Sequence, residues 1–436
     1  MTSCNTPKLR PVKDAIQSQL SEISPIQESE FVAIEHALNR IVFEDVMSPI
    51  NVPPIENSSM DGYALAFEDT KALVAQNKPV ILQCVGESLA GHPYAGTLES
   101  NQCIRIMTGA VVPQGADTVV MIENTRLVEE AEESIKGNEG GSPDDSLAVH
   151  FTTPPKQAGQ SVRRIGEDIE QGQVVIPQGT RLNATHLSML ASIGIAKLSV
   201  YRKVTVAVLA TGDELTQPGQ PLKAGAIYES NRIGLLSMLS KLNVDIVDLG
   251  IIPDTKKDIE AAFKQAMQRC DWIISSGGVS VGDADYVKEV LDDLGEINFW
   301  KVAIKPGKPY AFGKLATRFF SGLPGNPVSS FVTFHQLVAP ALRKLSGESA
   351  NSLDVTYLKA QSASFFKKHP GRADYQRGRF FVDETGILNV SGPSKQASNM
   401  MSSFFNANCY IVLEQDRGNV EIGETVNVLP FDPMLQ

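Results

Sequence analysis

The stretch DWIISSGGVSVGDADYVKEVLDDL, residues 271–294, decides the fold that the sequence predicts. It begins with an apolar run at residues 272–274, continues through a glycine-rich loop and ends in apolar residues at helical spacing. A strand, a loop and a helix in this order form the repeating unit of α/β proteins. The stretch therefore predicts a strand–loop–helix unit with a flexible backbone at the mouth of the helix.

The loop of this stretch combines two kinds of ligand chemistry. Gly277, Gly278 and Gly282 allow main-chain N–H groups to approach a ligand closely, and a helix N-terminus attracts phosphate. Asp283 and Asp285, in the first turn of the predicted helix, instead suit a hard cation such as Mg²⁺. A diphosphate with bound Mg²⁺ satisfies both requirements.

Residues 203–348 repeat the same unit. Apolar runs rich in Val and Ile predict buried strands, and apolar residues at helical spacing predict the helices between them. The predicted strands are 204–210, 244–252, 272–275 and 299–304, and the predicted helices are 231–242, 257–269, 283–294 and 328–344. Strands buried on both faces indicate a doubly wound parallel sheet, whose ligands bind beyond the carboxyl ends of the strands.

Three further loops fall at that edge of the predicted sheet. ATGDEL carries Asp213 and Glu214 directly after a strand, IIPDT carries Asp254, and GLPGNPVSS places Pro327 at the first position of a helix. Each loop alone is a weak signal, because glycine-rich strand–helix turns are common. Together with Asp285 they place four carboxylates on one rim, which favours a functional site.

The segment FWKVAIKPGKPYAFG follows this rim and carries three lysines, Lys301, Lys305 and Lys308. Surface lysines are usually solvated charges. Here they alternate with apolar residues and with prolines that fix the backbone, which favours an anion-binding strip. Such a strip would offset the repulsion between the rim carboxylates and an anionic substrate.

Three other regions complete the predicted architecture. Residues 1–50 and 161–202 form a discontinuous, elongated helical arm suited to packing or dimerisation. Residues 51–160 form a β-rich domain with an acidic, Gly/Ser-rich loop inserted at 126–160. The α/β domain spans 203–348, and residues 349–436 form a small C-terminal β-barrel.

Local patterns within these regions give further predictions. Apolar residues at helical spacing predict a helix over residues 30–40. The dipeptides at 61–62 and 108–109, D-G and T-G, are typical of turns. The arginines of HPGRADYQRGR, residues 369–379, belong to a predicted surface loop.

Composition excludes several classes of function. The 436-residue chain has a formal charge of −11, so it lacks the basic excess that binding to nucleic acid or to acidic membranes requires. Its five cysteines are scattered and its six histidines form no metal-binding pattern, which favours reduced, packed thiols over a zinc site. We find no signal-peptide pattern and no apolar run of about 18 residues, which predicts a cytoplasmic protein.

Seven motifs together resemble the molybdopterin molybdenumtransferase family, which includes MoeA and the E domain of gephyrin. In chain order they are SSMDGYA, RIMTGA, GEDI, ATGDEL, SSGGVSVGDADY, AIKPGKPYAFGKL and GLPGNPVSS. The resemblance covers essentially the whole chain. It implies Mg²⁺-dependent insertion of molybdate into the dithiolene of adenylylated molybdopterin, with pyrophosphate cleavage and release of AMP.

The resemblance also implies partners for the chain. Members of the family form homodimers in which the second subunit completes the active cleft. A molybdopterin adenylyltransferase acts upstream, and proteins that mature molybdoenzymes act downstream.

The same resemblance implies roles for particular residues. The implied catalytic residues are Glu214, Asp254 and Asp285, together with Asp61, Thr108 and Asp168. The implied substrate-binding residues are Gly277, Gly278, Ser280, Lys301, Lys305, Pro324, Gly325, Asn326 and Pro327. Molybdate would bind Lys308, Ser329, Arg372 and Ser398, and Mg²⁺ would bind Asp285 and Glu214.

Two alternative functions remain open at this stage. A pterin adenylyltransferase has a related α/β domain and would make the adenylate instead of consuming it. A dimeric scaffold without catalytic activity would keep the fold but would not need the acidic rim. Turnover with ATP and molybdopterin, or with adenylylated molybdopterin and molybdate, separates these functions.

Overall fold

The computed structural model describes residues 9–128, 147–277, 286–393 and 395–435. These residues cluster into two compact units. The first unit comprises the described residues of Met1–Glu44, Pro177–Met189 and Ile195–Gln436, and the second comprises those of Asp45–Ile176 and Leu190–Gly194.

Eight α-helices lie in the described residues. They are α1 Val12–Ser21, α2 Phe67–Ala75, α3 Ala184–Ser192, α4 Asn231–Leu239, α5 Lys256–Arg269, α6 Tyr286–Leu294, α7 Pro327–Thr333 and α8 Ala339–Leu345. A π-helical segment, Phe334–Val338, joins α7 to α8. None of these helices is both long enough and apolar enough to cross a membrane.

The described residues also contain short and long strands in both units. In the first half of the chain they are β1 Ser29–Ala33, β2 Val46–Met47, β3 Asn57–Ser58, β4 Gly62–Leu65, β5 Ile81–Ser88, β6 Gln102–Ile106, β7 Thr118–Met121, β8 Thr125–Val128, β9 Leu147–Phe151, β10 Val162–Arg163, β11 Val174–Ile176, β12 Lys197–Tyr201 and β13 Val204–Thr211. In the second half they are β14 Leu215–Thr216, β15 Ile227–Tyr228, β16 Val244–Ile252, β17 Trp272–Ser276, β18 Gly295–Lys301, β19 Ile304–Lys305, β20 Pro309–Leu315, β21 Arg318–Leu323, β22 Leu358–Ser362, β23 Ala373–Val382, β24 Leu388–Ser391, β25 Cys409–Leu413 and β26 Thr425–Pro430.

The predicted doubly wound parallel sheet forms the centre of the first unit. Its strand order is β16-β13-β17-β21-β20-β18, and the pairs β13–β16, β13–β17 and β17–β21 are parallel. Alternate residues of β13 and β17 pack into two different cores, with Val208 and Ile274 on one face and Leu209 and Ile273 on the other. Helices α4 and α7 contribute to the first core and helices α5 and α6 to the second, so both faces are covered.

One edge of this sheet is antiparallel. β18 pairs with β20 and β20 pairs with β21 in antiparallel register, so the strand predicted at 299–304 is not a further parallel strand. Its residues divide between the end of β18 and the separate strand β19. β20 and β21 are joined by a tight turn in which Ala316 adopts a positive φ of 53°, so no crossover helix separates them.

The C-terminal region is a small closed barrel, as the sequence predicts. Its strands follow the order β23-β24-β22-β26-β25, and an additional pairing of β23 with β25 closes the circle. Phe366, Val390, Ile411 and Val428 are buried in its core. β19 leaves the α/β domain and pairs in parallel with β23, which joins the two domains through backbone hydrogen bonds.

The helix predicted over residues 30–40 is wrong. β1 pairs antiparallel with β12, and only a single 3-10 turn follows at Ile34–His36. Phe31 is 74% exposed, so the apolar residues at helical spacing do not form a buried helical face. Pairing with a strand distant in sequence overrides the local pattern.

The second unit contains the predicted β-rich domain. Its six-stranded sheet has the order β7-β4-β6-β5-β9-β8. The predicted turn at Thr108–Gly109 is confirmed, with Gly109 at a φ of +81°. The turn predicted at residues 61–62 is wrong at Gly62, because this residue begins β4. Glycine is required there because a Cβ would lie 1.9 Å from the carbonyl oxygen of Val120.

The acidic insertion predicted at 126–160 lies only partly within the described residues. β8 and β9 fall within the predicted loop and pair antiparallel as part of the six-stranded sheet, with Val149 and Phe151 buried, so the loop prediction is wrong for these residues. Residues 129–146 fall outside the described ranges. The first turn of the predicted helix 283–294 is likewise outside them, and α6 is described from Tyr286.

A buried carboxylate provides a stability test of the first unit. Glu348 is 4% exposed and is paired with Arg343, five residues before it, and with Arg181, 167 residues before it. We expect Glu348→Ala to lower the free energy of unfolding by about 1.5–3 kcal/mol, because it removes the buried carboxylate that accepts hydrogen bonds from two partly exposed guanidinium groups. The measurement is denaturant-induced unfolding.

The matched control is Glu260→Ala, which breaks an exposed pair with Lys264 one helical turn away. Exposed pairs of this kind contribute about 0.3–0.5 kcal/mol. Equal losses in the two variants would contradict a structural role for the buried pair.

Candidate active site

A single large cleft in the first unit brings most of the predicted site residues together. Its volume is about 1440 Å³, and its walls come from the carboxyl-end loops of the parallel sheet and from two segments of the C-terminal domain. Of the site residues predicted from the motifs, those that line the cleft are Glu214, Asp254, Gly277, Lys305, Lys308, Pro324, Gly325, Asn326, Pro327, Ser329, Arg372 and Ser398.

Other predicted site residues are placed elsewhere or are not described. Lys301 ends β18 opposite Pro309 and is not part of the cleft wall. Gly278, Ser280 and Asp285 lie outside the described residues.

Asp61, Thr108 and Asp168 belong to the second unit. The carboxylate of Asp61 accepts hydrogen bonds from the main-chain N–H of Thr108 at 2.7 Å and from its hydroxyl at 2.8 Å. These two bonds lower the pKa of Asp61. Asp168 is exposed, and its main-chain N–H bonds to the carbonyl of Val52. The structure therefore brings Asp61 and Thr108 together.

The carboxylates of the rim lie close to one another. The loop after β16 approaches the loop after β13, where the main-chain N–H of Asp254 donates to the carboxylate of Asp213 at 3.3 Å. Partial burial, followed by the negative charges of Asp213 and Glu214, raises the pKa of Asp254. A carboxyl group of this kind accepts a proton more readily than an exposed aspartate does.

Lys305, the second lysine of the predicted anion-binding strip, is held by an ion pair. The Nζ atom of Lys305 lies 2.9 Å from the Oδ2 atom of Asp374, whose side chain is almost fully buried. Gln376 donates to the same oxygen at 3.1 Å. The pair fixes the direction of the Lys305 side chain and joins the lysine segment to the C-terminal domain.

The GNP turn before α7 is fixed by two contacts. The side-chain amide of Asn231 donates to the carbonyl of Gly325 at 2.8 Å. The main-chain N–H of Val328 donates to the carbonyl of Ser398 at 3.0 Å, which ties the C-terminal domain to the first turn of α7. Ser329, in the same turn, is buried and lines the cleft. The hydroxyl-bearing residues Ser329 and Ser398 are therefore held on facing segments.

The sequence did not identify Arg377 as part of the site. It is 2% exposed and lines the cleft, so its assignment to a surface loop is wrong. Its Nε donates to the hydroxyl of Ser403 at 2.9 Å and its Nη1 to the carbonyl of Tyr375 at 3.2 Å, while Nη2 has no hydrogen-bond partner. Burial lowers the pKa of this guanidinium. Arg377 lies within β23, where five consecutive residues, 374–378, are buried, so no alternation along the strand signals its burial.

The rim fits Mg²⁺ when substrate phosphates complete the coordination. Across the described ranges we find no group of three or more His, Cys, Asp or Glu side chains able to hold a metal ion. Mg²⁺ characteristically binds through one or two carboxylates together with substrate phosphates and water. Glu214, one of the two predicted Mg²⁺ ligands, supplies an oxygen ligand of this kind at the cleft wall, and the other, Asp285, lies outside the described residues.

Comparison with known families assigns each region of the chain. The model of the MoeA N-terminal region (domain I and II) matches residues 10–194. A probable molybdopterin binding domain matches residues 207–344, and the MoeA C-terminal region (domain IV) matches residues 359–431. The three matches follow one another in the same chain.

Individual relatives agree with this assignment. A molybdopterin molybdenumtransferase of Haemophilus influenzae is 44% identical over 97% of this chain and 99% of its own length. Gephyrin of Dictyostelium discoideum is 31% identical over 98% of this chain and 63% of its own length. The crystal structure of a molybdopterin biosynthesis MoeA protein from Pyrococcus horikoshii matches with a TM-score of 0.80 at 27% identity, covering 97% of this chain and all of that one. The chain therefore belongs to the molybdopterin molybdenumtransferase (MoeA) family, and it is an enzyme of molybdenum cofactor biosynthesis.

Proposed function

We propose that this enzyme inserts molybdate into the dithiolene of adenylylated molybdopterin and cleaves the pyrophosphate to release AMP. One observation carries the proposal: a single cleft holds both a carboxylate rim and a set of cationic and hydroxyl side chains. A nucleotide diphosphate with Mg²⁺ needs the first set of groups, and a tetrahedral oxyanion needs the second.

The oxyanion subsite consists of Lys308, Ser329, Arg372 and Ser398. Molybdate is a dianion whose oxygens accept hydrogen bonds from guanidinium, ammonium and hydroxyl groups. Ser329 is buried on α7, and Ser398 is tied to the same turn by the Val328 hydrogen bond. These contacts fix the hydroxyls in place before molybdate arrives, which reduces the entropy lost on binding.

The rim residues act on the pyrophosphate. Glu214, together with the Asp285 that the family resemblance implies, would hold Mg²⁺, which neutralises charge on the diphosphate when bound. Asp254 has a raised pKa and accepts the proton of the water that attacks phosphorus. Lys305, fixed by Asp374, contacts the substrate phosphate.

A pterin adenylyltransferase is the nearest competing function, and substrate choice separates the two. We expect the purified protein to release AMP from adenylylated molybdopterin when Mg²⁺ and molybdate are present, and to form no adenylate from ATP and molybdopterin. The measurement follows AMP and mature cofactor by chromatography. Adenylate formation without molybdenum insertion would reverse the assignment.

We also propose that the active enzyme is a homodimer in which the partner subunit supplies Asp61, Thr108 and Asp168 to the cleft. The hydrogen bonds between Asp61 and Thr108 give this pair a fixed geometry. The adenylylated substrate comes from a molybdopterin adenylyltransferase, and the product passes to proteins that mature molybdoenzymes.

Complementation tests the shared cleft. Asp61→Ala and Asp254→Ala should each abolish turnover, because each removes one group from every cleft. Coexpression of the two variants should restore about a quarter of wild-type turnover, since half of the randomly formed dimers contain one intact cleft. Dimeric protein that stays inactive after coexpression would place both residues in the cleft of one chain.

The pH profile tests the role of Asp254. Its pKa is raised in the folded enzyme, so the carboxylate is protonated, and kcat/KM falls, as the pH drops through that value. Asp213→Asn removes one neighbouring negative charge and keeps an oxygen that can accept the Asp254 N–H. The pKa of Asp254 then decreases, and the acidic limb of kcat/KM should move to lower pH.

The matched control is Asp245→Asn, an exposed aspartate at the opposite end of β16. It should leave the acidic limb in place. An unchanged profile in Asp213→Asn would exclude Asp254 as the group that titrates.

A further inference from the structure

Two cysteines of the second unit lie opposite each other on neighbouring strands. Cys84 of β5 and Cys103 of β6 are direct partners in the parallel register. Neighbouring strands are about 4.8 Å apart, which falls within the range of about 4.4–6.8 Å between the Cα atoms of disulfide-bonded cysteines. The backbone therefore already has the spacing of a disulfide.

The two side chains also lie on the same face of the sheet. Cys103 is fully buried in a core with Leu82 and Val149, and Cys84 packs against that same core from a half-buried position. The thiol of Cys84 donates to the carbonyl of Gly86 at 3.5 Å. One sulfur is thus half-buried, and the second lies behind it in the same core.

The surroundings of Cys84 favour its thiolate. The hydrogen bond with Cys103 is the main cause that lowers the pKa of Cys84 to about 6, and main-chain hydrogen bonds from Gly86 and Arg105 and the Arg105 charge add to it. Tyr63, on β4, is a further titratable group that interacts electrostatically with Cys84, Cys103 and Arg105. The hydrogen bond with Cys84 and burial raise the pKa of Cys103, so it remains a thiol.

The other described cysteines differ from Cys84 in both the accessibility of the sulfur and the pKa of the thiol. Cys270 and Cys409 are buried, and burial raises the pKa of Cys270 and raises that of Cys409 to about 12. They provide internal references for thiol reactivity in the same molecule.

We propose that Cys84 and Cys103 form a redox modification site, in which Cys84 reacts with peroxides and Cys103 resolves the product as an intramolecular disulfide. The Cys84 thiolate attacks one oxygen of hydrogen peroxide, an S–O bond forms, the O–O bond breaks and hydroxide leaves. The Cys103 sulfur then attacks the Cys84 sulfur, the S–S bond forms and the S–O bond breaks. The departing hydroxide takes the Cys103 proton, so two thiols and one peroxide give one disulfide and two waters.

The test uses the full-length chain with Cys4→Ser, which removes the cysteine that lies outside the described residues. Limited alkylation of the reduced protein at pH 7 should modify Cys84 at least about tenfold faster than Cys409, and the rate at Cys84 should reach half its maximum near pH 6. After peroxide treatment, cleavage at Glu87 and Glu99 leaves the two cysteines on different fragments. Mass spectrometry without reductant should find these fragments joined.

Two single variants show whether the pair acts together. In Cys103→Ala, which removes both the resolving sulfur and the donor, peroxide should leave a sulfenic acid on Cys84 that dimedone traps, and the midpoint of the alkylation profile should rise. In Cys84→Ser, Cys103 should stay reduced. Alkylation of Cys84 no faster than of Cys409, or sulfinic acid on Cys84 beside an intact Cys103 thiol in the parent protein, would overturn the proposal.

Discussion

Parallel pairing around β13 is the constraint on which the rest of the site depends. β13 pairs in parallel with β16 on one side and β17 on the other, and β17 pairs in parallel with β21. Their carboxyl ends therefore meet at one edge, and the loops that carry Glu214, Asp254, Gly277 and the GNP turn emerge side by side. Cores on both faces of these strands hold that edge in place.

The C-terminal domain turns this edge into a cleft. β19 pairs with β23, so the chain that carries Lys305 and Lys308 runs beside the segment that carries Arg372. The Lys305–Asp374 ion pair and the hydrogen bond from Val328 to Ser398 add side-chain and backbone links across the same boundary. The acidic rim thus comes from the α/β domain, whereas the basic side combines Lys305 and Lys308 of that domain with Arg372 of the C-terminal domain. Specific bonds hold the two domains together at this boundary.

The sequence predicted those features of the site that are encoded locally. The loops after β13, β16 and β17 follow from buried apolar runs and turn residues, whereas the GNP turn follows from its own residues and the strand before it, β21, was not predicted. Twelve of the motif-derived site residues line one cleft. The sequence did not predict contacts made over long separations. Asp374 pairs with Lys305 across 69 residues, and β1 pairs with β12, which replaced the expected helix with a strand. Arg377 illustrates the same limit, since only the closure of the barrel buries it.

In the proposed function, one cleft holds the molybdate oxyanion between α7 and the C-terminal domain. Anomalous diffraction at the molybdenum absorption edge, from crystals soaked with molybdate and AMP, tests it most directly. We predict one strong peak in the cleft, in contact with the side chains of Ser329, Arg372 and Ser398, and the loss of that peak in Arg372→Gln but not in Arg379→Gln, where the exposed arginine lies outside the cleft. A molybdenum peak elsewhere on the chain, with AMP bound in the cleft, would contradict the account.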